Sequence, residues 1–394
     1  MKRILILGAS QFQIPIVKQA KKMGLYVGIA DISNSSPAIE YADEYFQCSI
    51  KDQERVLDIA LKFKPDAVTV GICDSAVNTA AFVCNEMGLP GLSIDVAKKA
   101  TDKYEMIKAF KDNNVPHPAF EVIHSIPDND YSPNLVFPII CKPVDCAGSK
   151  GINIVYNNDE LISAIKNSMF FSQSNTVLLE EYMKGPEVSV ELIIIDGVPY
   201  VAQITDKITT GPPHFIEIGH TQPSSLSPEV IADIKKTACS AANAIGLNNC
   251  IGHAEIIITN RGAKMVEIAG RLGGDSIAEQ LIYLSTGYNF PEIDICFSLG
   301  LKPEIISHRE DRYSAIRFIE NERNGVIKDI LGVAEAERIT DIYEIGFMKK
   351  IGDKSENVTE NSKRIGYVIA SADSREKAVL ACENALNLIS VIVG

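Results

Sequence analysis

The apolar positions of the chain fall into three successive patterns. The run RILIL, closed by Gly8, is continuously apolar, as in a strand buried on both faces of a parallel sheet. Ile14, Val17 and Ala20, spaced by three, with Met23 before Gly24, predict a helix. LYVGIAD and DAVTVG repeat the strand pattern, with the helical stretch DQERVLDIALKF between them. Strands separated by helices of this length predict right-handed βαβ units on a parallel sheet that ends near Pro90. TDKYEMIKAFKDNNVPHP then predicts a helix, with Asp102 and Glu105 as a capping box and Pro116 and Pro118 as its stop. HSIPDNDYSPN reads as a surface loop.

From Phe137 to about Gly274 strands dominate: FPIICKPV, GINIVY, TVLLEEYM, EVSVELIII, VPYVAQITDK, HFIEIGHTQ, IGHAEIIIT and AKMVEIAG. Two helices interrupt them, NDELISAIKNSMF and SPEVIADIKKTACSAANAIG. The second has Ser227 as cap, Pro228 in its first turn, Gly246 as stop and one apolar face. This is an α+β pattern with mostly antiparallel pairing. The last ninety or so residues form a smaller mixed module. There YSAIRFIE and RIGYVIASADS read as strands and REKAVLACENALNLISVI as an amphipathic helix.

At 394 residues the chain is too long for one ordinary core. Its 46% apolar and 23% charged residues are the balance of a soluble globular protein. A formal charge of −13 repels nucleic acid and anionic membranes, so neither is an expected partner. Nine cysteines without a CxxC pair are read as reduced thiols, which together with the short apolar run after Met1 points to a cytoplasmic protein. No apolar run approaches the length of a membrane span.

Several residues could carry chemistry. Gly8 and Asp31 are fragments of a dinucleotide fingerprint, but Ser10 and Gln13 stand where further glycines belong. In CKPVDCAGSKGINIV, Lys142 is either a solvated strand lysine with its stem on the sheet or a fixed anion contact. The Asp145–Gly151 loop holds Gly148, Ser149, Lys150 and Gly151, so backbone N–H groups and a second lysine could close on a polyphosphate. Glu180 and Glu181 end one strand, and Glu187, Ser189 and Glu191 form the polar face of the next. With Asn260-Arg261-Gly262 as a three-residue hairpin loop, Glu255 falls opposite Glu267. Such a pair is destabilising on a sheet unless a proton or a shared cation relieves it, and the alternative is a wet sheet face. Arg271, before Gly273 and Gly274, could bind a carboxylate or phosphoryl group. His220 and His253 lack the spacing of a zinc site.

Taken in order, TDKYEMIKAF…VPHP, CKPVDCAGSKGI, LEEYMKGPEVSVE, GHAEIIIT and MVEIAGRLGGD resemble the ATP-grasp superfamily, in its carboxylate–amine ligase branch. The resemblance runs over nearly the whole chain. It is similar to biotin carboxylase and the purine-pathway enzymes in layout, and to amino-acid ligases at EIAGRLGGD. The fold it implies is α/β and α+β. A Rossmann-like domain would occupy residues 1–95 and an ATP-grasp domain 96–305, with its flap subdomain over about 115–185. A C-terminal α+β module, 306–394, would complete the ATP-grasp region.

The resemblance implies ATP with Mg2+, Mn2+ being an alternative ion. Lys103 and Lys142 would contact the α- and β-phosphates under the Asp145–Gly151 flap, with Ser149, Lys150 and Gly151 in it. Glu180, Glu181, Tyr182 and Met183 would read adenine, and Glu187 would hold the ribose. Glu255 and Glu267 would bind the metal, and Arg271 would stabilise an acyl phosphate. His220, Arg271, Gly273 and Gly274 would face the substrates. Ala269 stands where the family often has a metal-binding Asn, which leaves the number of ions open. The expected activity joins a small carboxylate to an amine with release of ADP and phosphate. A bicarbonate-dependent carboxylase is the alternative, and the resemblance is compatible with a homodimer.

Overall fold

A computed structural model describes the chain except for residues 129, 147, 149, 213, 306–311 and 322. The N-terminal strands β1 (Arg3–Leu7), β2 (Tyr26–Asp31), β3 (Glu44–Gln47) and β4 (Ala67–Thr69) form one parallel sheet in the order β3-β2-β1-β4. Helices α1 (Ile14–Lys22), α2 (Gln53–Phe63) and α3 (Val77–Met87) accompany it. The short edge strand β3 was not legible, because EYFQ has no continuous apolar run. Gln13 fills the crevice beyond β1, donating to the carbonyls of Leu7 and Val70. Asp31 is spent on the turn after β1 and on its own loop, accepting from the Ala9 and Ser33 amides. These contacts account for Asp31 without a dinucleotide.

Helix α4 (Ile94–Thr101) leads into α5 (Lys103–Asp112), whose cap is Asp102. The capping box is half made: Asp102 accepts from the Tyr104 and Glu105 amides, whereas the Glu105 side chain turns to Lys98. A small antiparallel sheet comes next, made of β5 (Phe120–Ile123), β6 (Ile139–Pro143), β7 (Asn153–Val155) and β8 (Val177–Glu181) in the order β5-β8-β6-β7. Helix α6 (Asn158–Phe171) covers it through Leu161, Ala164 and Ile165.

The main sheet has eight strands among the described residues. Its members are β9 (Glu187–Ile195), β10 (Val198–Thr209), β11 (Glu217–Gln222), β12 (Cys250–Thr259), β13 (Gly262–Ala269) and β14 (Tyr313–Ile319), with two more from the C-terminal region. That region contains β15 (Gly325–Leu331), β16 (Ile342–Phe347), β17 (Lys354–Ser355), β18 (Gly366–Ala372) and β19 (Ser390–Val393). The order of the main sheet is β13-β12-β9-β10-β11-β14-β18-β16. The C-terminal strands therefore extend the central sheet. The helix expected to run to the C-terminus stops at Leu388, and the β-branched residues of Ser390–Val393 pair with β15 instead.

One face of the main sheet is apolar. Val188, Val190, Leu192, Ile204, Ala254, Ile256 and Ile268 pack against α5 and α7 (Pro228–Ile245) in one buried cluster. Helix α7 begins and ends where the sequence places it, on the Ser227 cap and on Gly246. The other face of the same strands carries polar residues and is also buried, with Ser189, Glu191, Thr205, His220 and Gln222 at most 1% exposed. At the Glu255–Glu267 pair the face is half-buried, with 20% and 33% of those side chains exposed.

Between β8 and β9 the chain passes through Gly185, at φ +152, where a Cβ would collide with the Ile258 carbonyl oxygen. The next residue, Pro186, accepts from the Ile258 amide at 2.9 Å. Gly185→Ala is expected to lower stability by about 1–3 kcal/mol through this overlap, read by urea unfolding. An unchanged midpoint would contradict the packing described here.

Candidate active site

The site is built on the polar face of the main sheet. Along β9, residues 187, 189 and 191 share that face by the two-residue period of a strand. Register sets Ser189 beside Thr205 on β10 and Glu255 on β12, and Glu191 beside Gln203 and His253. Lys207 continues the face along β10. Its Nζ lies 2.7 Å from Glu187, 2.8 Å from Glu255 and 3.0 Å from Glu217. Burial alone would lower the Lys207 pKa, but the three carboxylates outweigh it and hold the ammonium charged.

Glu217 and His220 are three apart on β11 and on a regular strand would face opposite ways. Opposite Ile208 and Thr209 of β10 the register shifts by one, leaving Ile218 as an extra residue of β11, and this bulge brings both to the polar face. His220 is fully buried, 3.4 Å from Glu217 and 3.7 Å from Asp275, and these acids raise its pKa against the effect of burial. Ligand atoms of Glu217, His220 and Asp275 lie within 4.8 Å of one another. Lys207 and Arg364 already neutralise the two acids, with Arg364 donating twice to Asp275 at 2.6 and 2.9 Å. The trio is therefore an ion-pair network.

Glu255 does pair with Glu267 across β12 and β13. The hairpin loop is two residues, because Gly262 already pairs with Thr259, and a bulge between Glu255 and Ile256 restores the expected register. Each of the two acids also has a basic partner of its own. Glu255 has Lys207 and, at 3.8 Å, His253, while Glu267 lies 3.5 Å from Lys103. Burial pushes Glu255 up, and Lys207 with His253 more than reverses this, so it is ionised well below the usual carboxylate range. Two carboxyl groups on adjacent strands suit a hard cation such as Mg2+, which takes oxygen ligands. Ala269 is buried and offers no ligand atom.

His253 Nδ1 stands 2.5 Å from Glu191 Oε1. Burial lowers its pKa, and Glu191 then raises it to about 10, so the imidazole is protonated at neutral pH. Gly273 lies on this pair, where a Cβ would come within 2.6 Å of His253 and 2.7 Å of Glu191. Gly274 has open space around it. Arg271 reaches Asp74 of the N-terminal region at 3.0 Å and its own loop at the Leu272 carbonyl.

Lys142 is 4% exposed, so its head group is not in water as a solvated strand lysine would be. Register places it diagonally from Glu180 on one face of the small sheet, and their ions meet at 2.6 Å. Glu181 turns the other way to Lys264, Arg261 and the Ala119 amide. Tyr182 and Met183 come directly after β8 and are half-buried. Lys103 donates to the Cys146 carbonyl at 2.7 Å, and Glu267, Asp74 and Glu180 all raise its pKa against burial. It thus joins the base of the Asp145–Gly151 loop to the acidic face. Lys150 is exposed, Gly151 packs by Phe171, and Ser149 lies outside the described residues. Cys141 is buried beside Ser168, its thiol pushed up to about 12 by burial, and Cys146 bonds to the Phe171 carbonyl. Both are structural.

Sequence reasoning missed Lys207, Glu217, Asp74 and Arg364. Lys207 had a signal, since it alternates with Gln203 and Thr205 on one face of a strand beside three acids. Glu217 had none, because its orientation depends on the bulge.

Residues 135–279 match the ATP-grasp domain, and residues 317–394 match the L-amino acid ligase C-terminal domain 2. The chain is 25% identical over 343 residues to carnosine synthase 1 of Gallus gallus, covering 79% of this chain and 36% of that protein. It is 26% identical over 245 residues to the alanine–anticapsin ligase of Bacillus subtilis, covering 56% and 51%. The chain thus spans between about a third and a half of the length of these two curated relatives. The crystal structure of an L-amino acid ligase from Bacillus licheniformis superposes with a TM-score of 0.86 at 21% identity, covering 100% of this chain and 99% of that one.

Lys207→Met is expected to cost about 3–5 kcal/mol at neutral pH, because it strands three carboxylates. Without the ammonium their folded pKa values rise above the unfolded ones, so the deficit shrinks as acid protonates them. Urea unfolding across pH checks this, and a deficit that grows on acidification would contradict it. The imidazole of His253 is expected to remain protonated by NMR up to about pH 10. The stability it contributes is complete below about 6.5, the unfolded value, and is lost as pH rises through about 10.

Proposed function

The chain belongs to the ATP-grasp superfamily, and on that premise we propose that it is an ATP-dependent ligase joining a small carboxylate to an amine. The observation that carries this reading is the convergence of Lys103, Arg271, Glu255 and Glu267 beside the base of the Asp145–Gly151 loop. A substrate carboxylate oxygen attacks the γ-phosphorus, the bond to the β–γ bridging oxygen breaks, and ADP leaves. The amine nitrogen then attacks the acyl carbon, phosphate departs, and the nitrogen gives up its proton. Two anions must meet in the first step, so fixed cations that need no reorganisation are the main catalytic requirement.

Lys103 and Lys142 are proposed to hold the α- and β-phosphates. Glu180 keeps one oxygen on Lys142 and offers the other to the adenine amine, with Glu181, Tyr182 and Met183 completing the hinge. Glu187 takes the ribose hydroxyls. Glu255 and Glu267 would hold Mg2+, or Mn2+, which when bound offsets phosphate charge and polarises the γ-phosphoryl group. Arg271, with the amides of Gly273 and Gly274, stabilises charge on the acyl phosphate, and His220 faces the substrate. The Asp145–Gly151 loop, carrying Ser149, Lys150 and Gly151, closes to exclude water that would hydrolyse the acyl phosphate. We take 1–95, 96–305 and 306–394 as the domains, a homodimer as the assembly and the cytoplasm as the compartment. The free cysteines fit that compartment, and among the described residues no helix is long and apolar enough to cross a membrane.

The carboxylase alternative has less support, since the C-terminal match is to a domain of amino-acid ligases. Glu267→Gln is expected to abolish substrate-dependent ADP release in a screen over pairs of amino acids. Full activity in that variant would contradict the metal assignment, and ADP release that requires bicarbonate would favour the carboxylase.

A further inference from the structure

Most of the buried side-chain polar atoms without a hydrogen-bond partner, among the described residues, belong to Ser189, Glu191, His220, Glu279 and Gln280. Glu279 is the strongest case, being 9% exposed with neither carboxylate oxygen partnered. It sits in a π-helical turn, Ile277–Leu281, entered through Asp275 and Ser276. Both entering residues are left-handed, at φ +54 and +62, a conformation that costs non-glycine residues energy and that functional sites often retain. A π-turn is a further mark of such sites.

Neighbouring acids are matched and Glu279 is not. Asp275 has Arg364, and Glu191 has His253. Glu279 is buried within electrostatic reach of both acids, with Arg271 as the nearby cation that opposes them. Burial first, and then these acids, push its carboxyl up to about 8. A buried acid without a counter-ion destabilises the fold that contains it. A glutamine or leucine there would avoid that cost. The position makes physical sense if a bound molecule brings the missing positive charge. Arg271 and Glu279 stand on either side of Gly273 and Gly274 in the sequence, a fixed cation and an acid that an incoming cation would ionise, so a ligand bearing both a carboxylate and a cation would be matched at both ends.

We propose that Glu279 anchors a primary ammonium group of a substrate, making it a specificity-determining residue of this site. The inference rests on the ligase reading for the reaction of the bound substrate, whereas binding itself is tested separately. The ammonium could be the α-amino group of an amino acid or the end of a cationic side chain.

The test measures affinities of wild type and Glu279→Gln, each with Mg2+ and a non-hydrolysable ATP analogue. The probes are the common L-amino acids, their des-amino carboxylates, and 6-aminohexanoate. Glutamine keeps the shape and removes the charge, so the variant is expected to melt no lower than wild type. The tightest-binding ammonium compound should lose about tenfold to a hundredfold in affinity, the range of a charge-assisted hydrogen bond, while its des-amino analogue is unaffected. Sensitivity shared by amino acids with neutral side chains identifies the α-ammonium. Sensitivity confined to lysine and 6-aminohexanoate identifies a side-chain cation. The proposal is overturned if the ammonium compounds keep their affinity in the variant, bind no better than the des-amino carboxylates, or do not bind at all. ADP release is followed in parallel. Its absence with the affinity loss intact overturns the ligase reading alone, and ADP release with an unchanged KM in Glu279→Gln overturns the anchor alone.

Discussion

The ammonium of Lys207 is buried at the centre of the main sheet, and three carboxylates from three different strands close on it. A buried charge of this kind is tolerable only if its partners are held in place, because removing any of them leaves an ion in a medium that solvates it poorly. The requirement fixes how β9, β10, β11 and β12 sit beside one another. It also explains the bulge on β11, without which Glu217 would point to the sheet face away from Lys207. Slippage of one residue would exchange the two faces, placing Val188 and Val190 over the site and the acids in the core. The apolar face and the ionic face thus specify the same register.

From that centre, charged contacts run outward to the N-terminal sheet, the glycine loop and the C-terminal segment. Glu255 stands by Glu267, and Glu267 by Lys103, whose ammonium holds the base of the glycine loop. Arg271 reaches Asp74 beyond β4, so the N-terminal parallel sheet contributes an acid to the same place. On the other side Arg364 ties Asp275 to the C-terminal segment. Each pair of opposite charges neutralises a group that would otherwise resist burial. The pattern makes the sheet face a rigid, pre-charged surface, which suits chemistry in which anions must be brought together.

Regular elements were legible because their patterns are local. The buried strands of the N-terminal sheet, the α7 cap and stop, and the alternation along β9 all arise from neighbours a few residues apart. The pairing of Glu255 with Glu267 was legible too, although a two-residue loop and a bulge produce it where a three-residue loop was expected. What escaped depends on contacts between distant segments. Lys142 meets Glu180 through strand register, Asp74 meets Arg271 across nearly two hundred residues, and Glu217 is turned by a bulge in its own strand that only the pairing with β10 reveals. Lys207 was visible in principle, but a lysine in an alternating strand reads as solvent-facing until the face it shares is known to be buried. Periodicity tells which residues share a face and not whether water reaches it.

The central claim is that this charged face drives attack of a carboxylate on the γ-phosphate. It is tested most directly by supplying amino acids whose carboxylates carry isotopically heavy oxygen and analysing the phosphate released by mass spectrometry. An acyl phosphate intermediate hands one carboxylate oxygen to the departing phosphate, so the account predicts heavy oxygen in inorganic phosphate, in step with formation of the amide product. Phosphate that forms with the product but contains no oxygen from the carboxylate would contradict it.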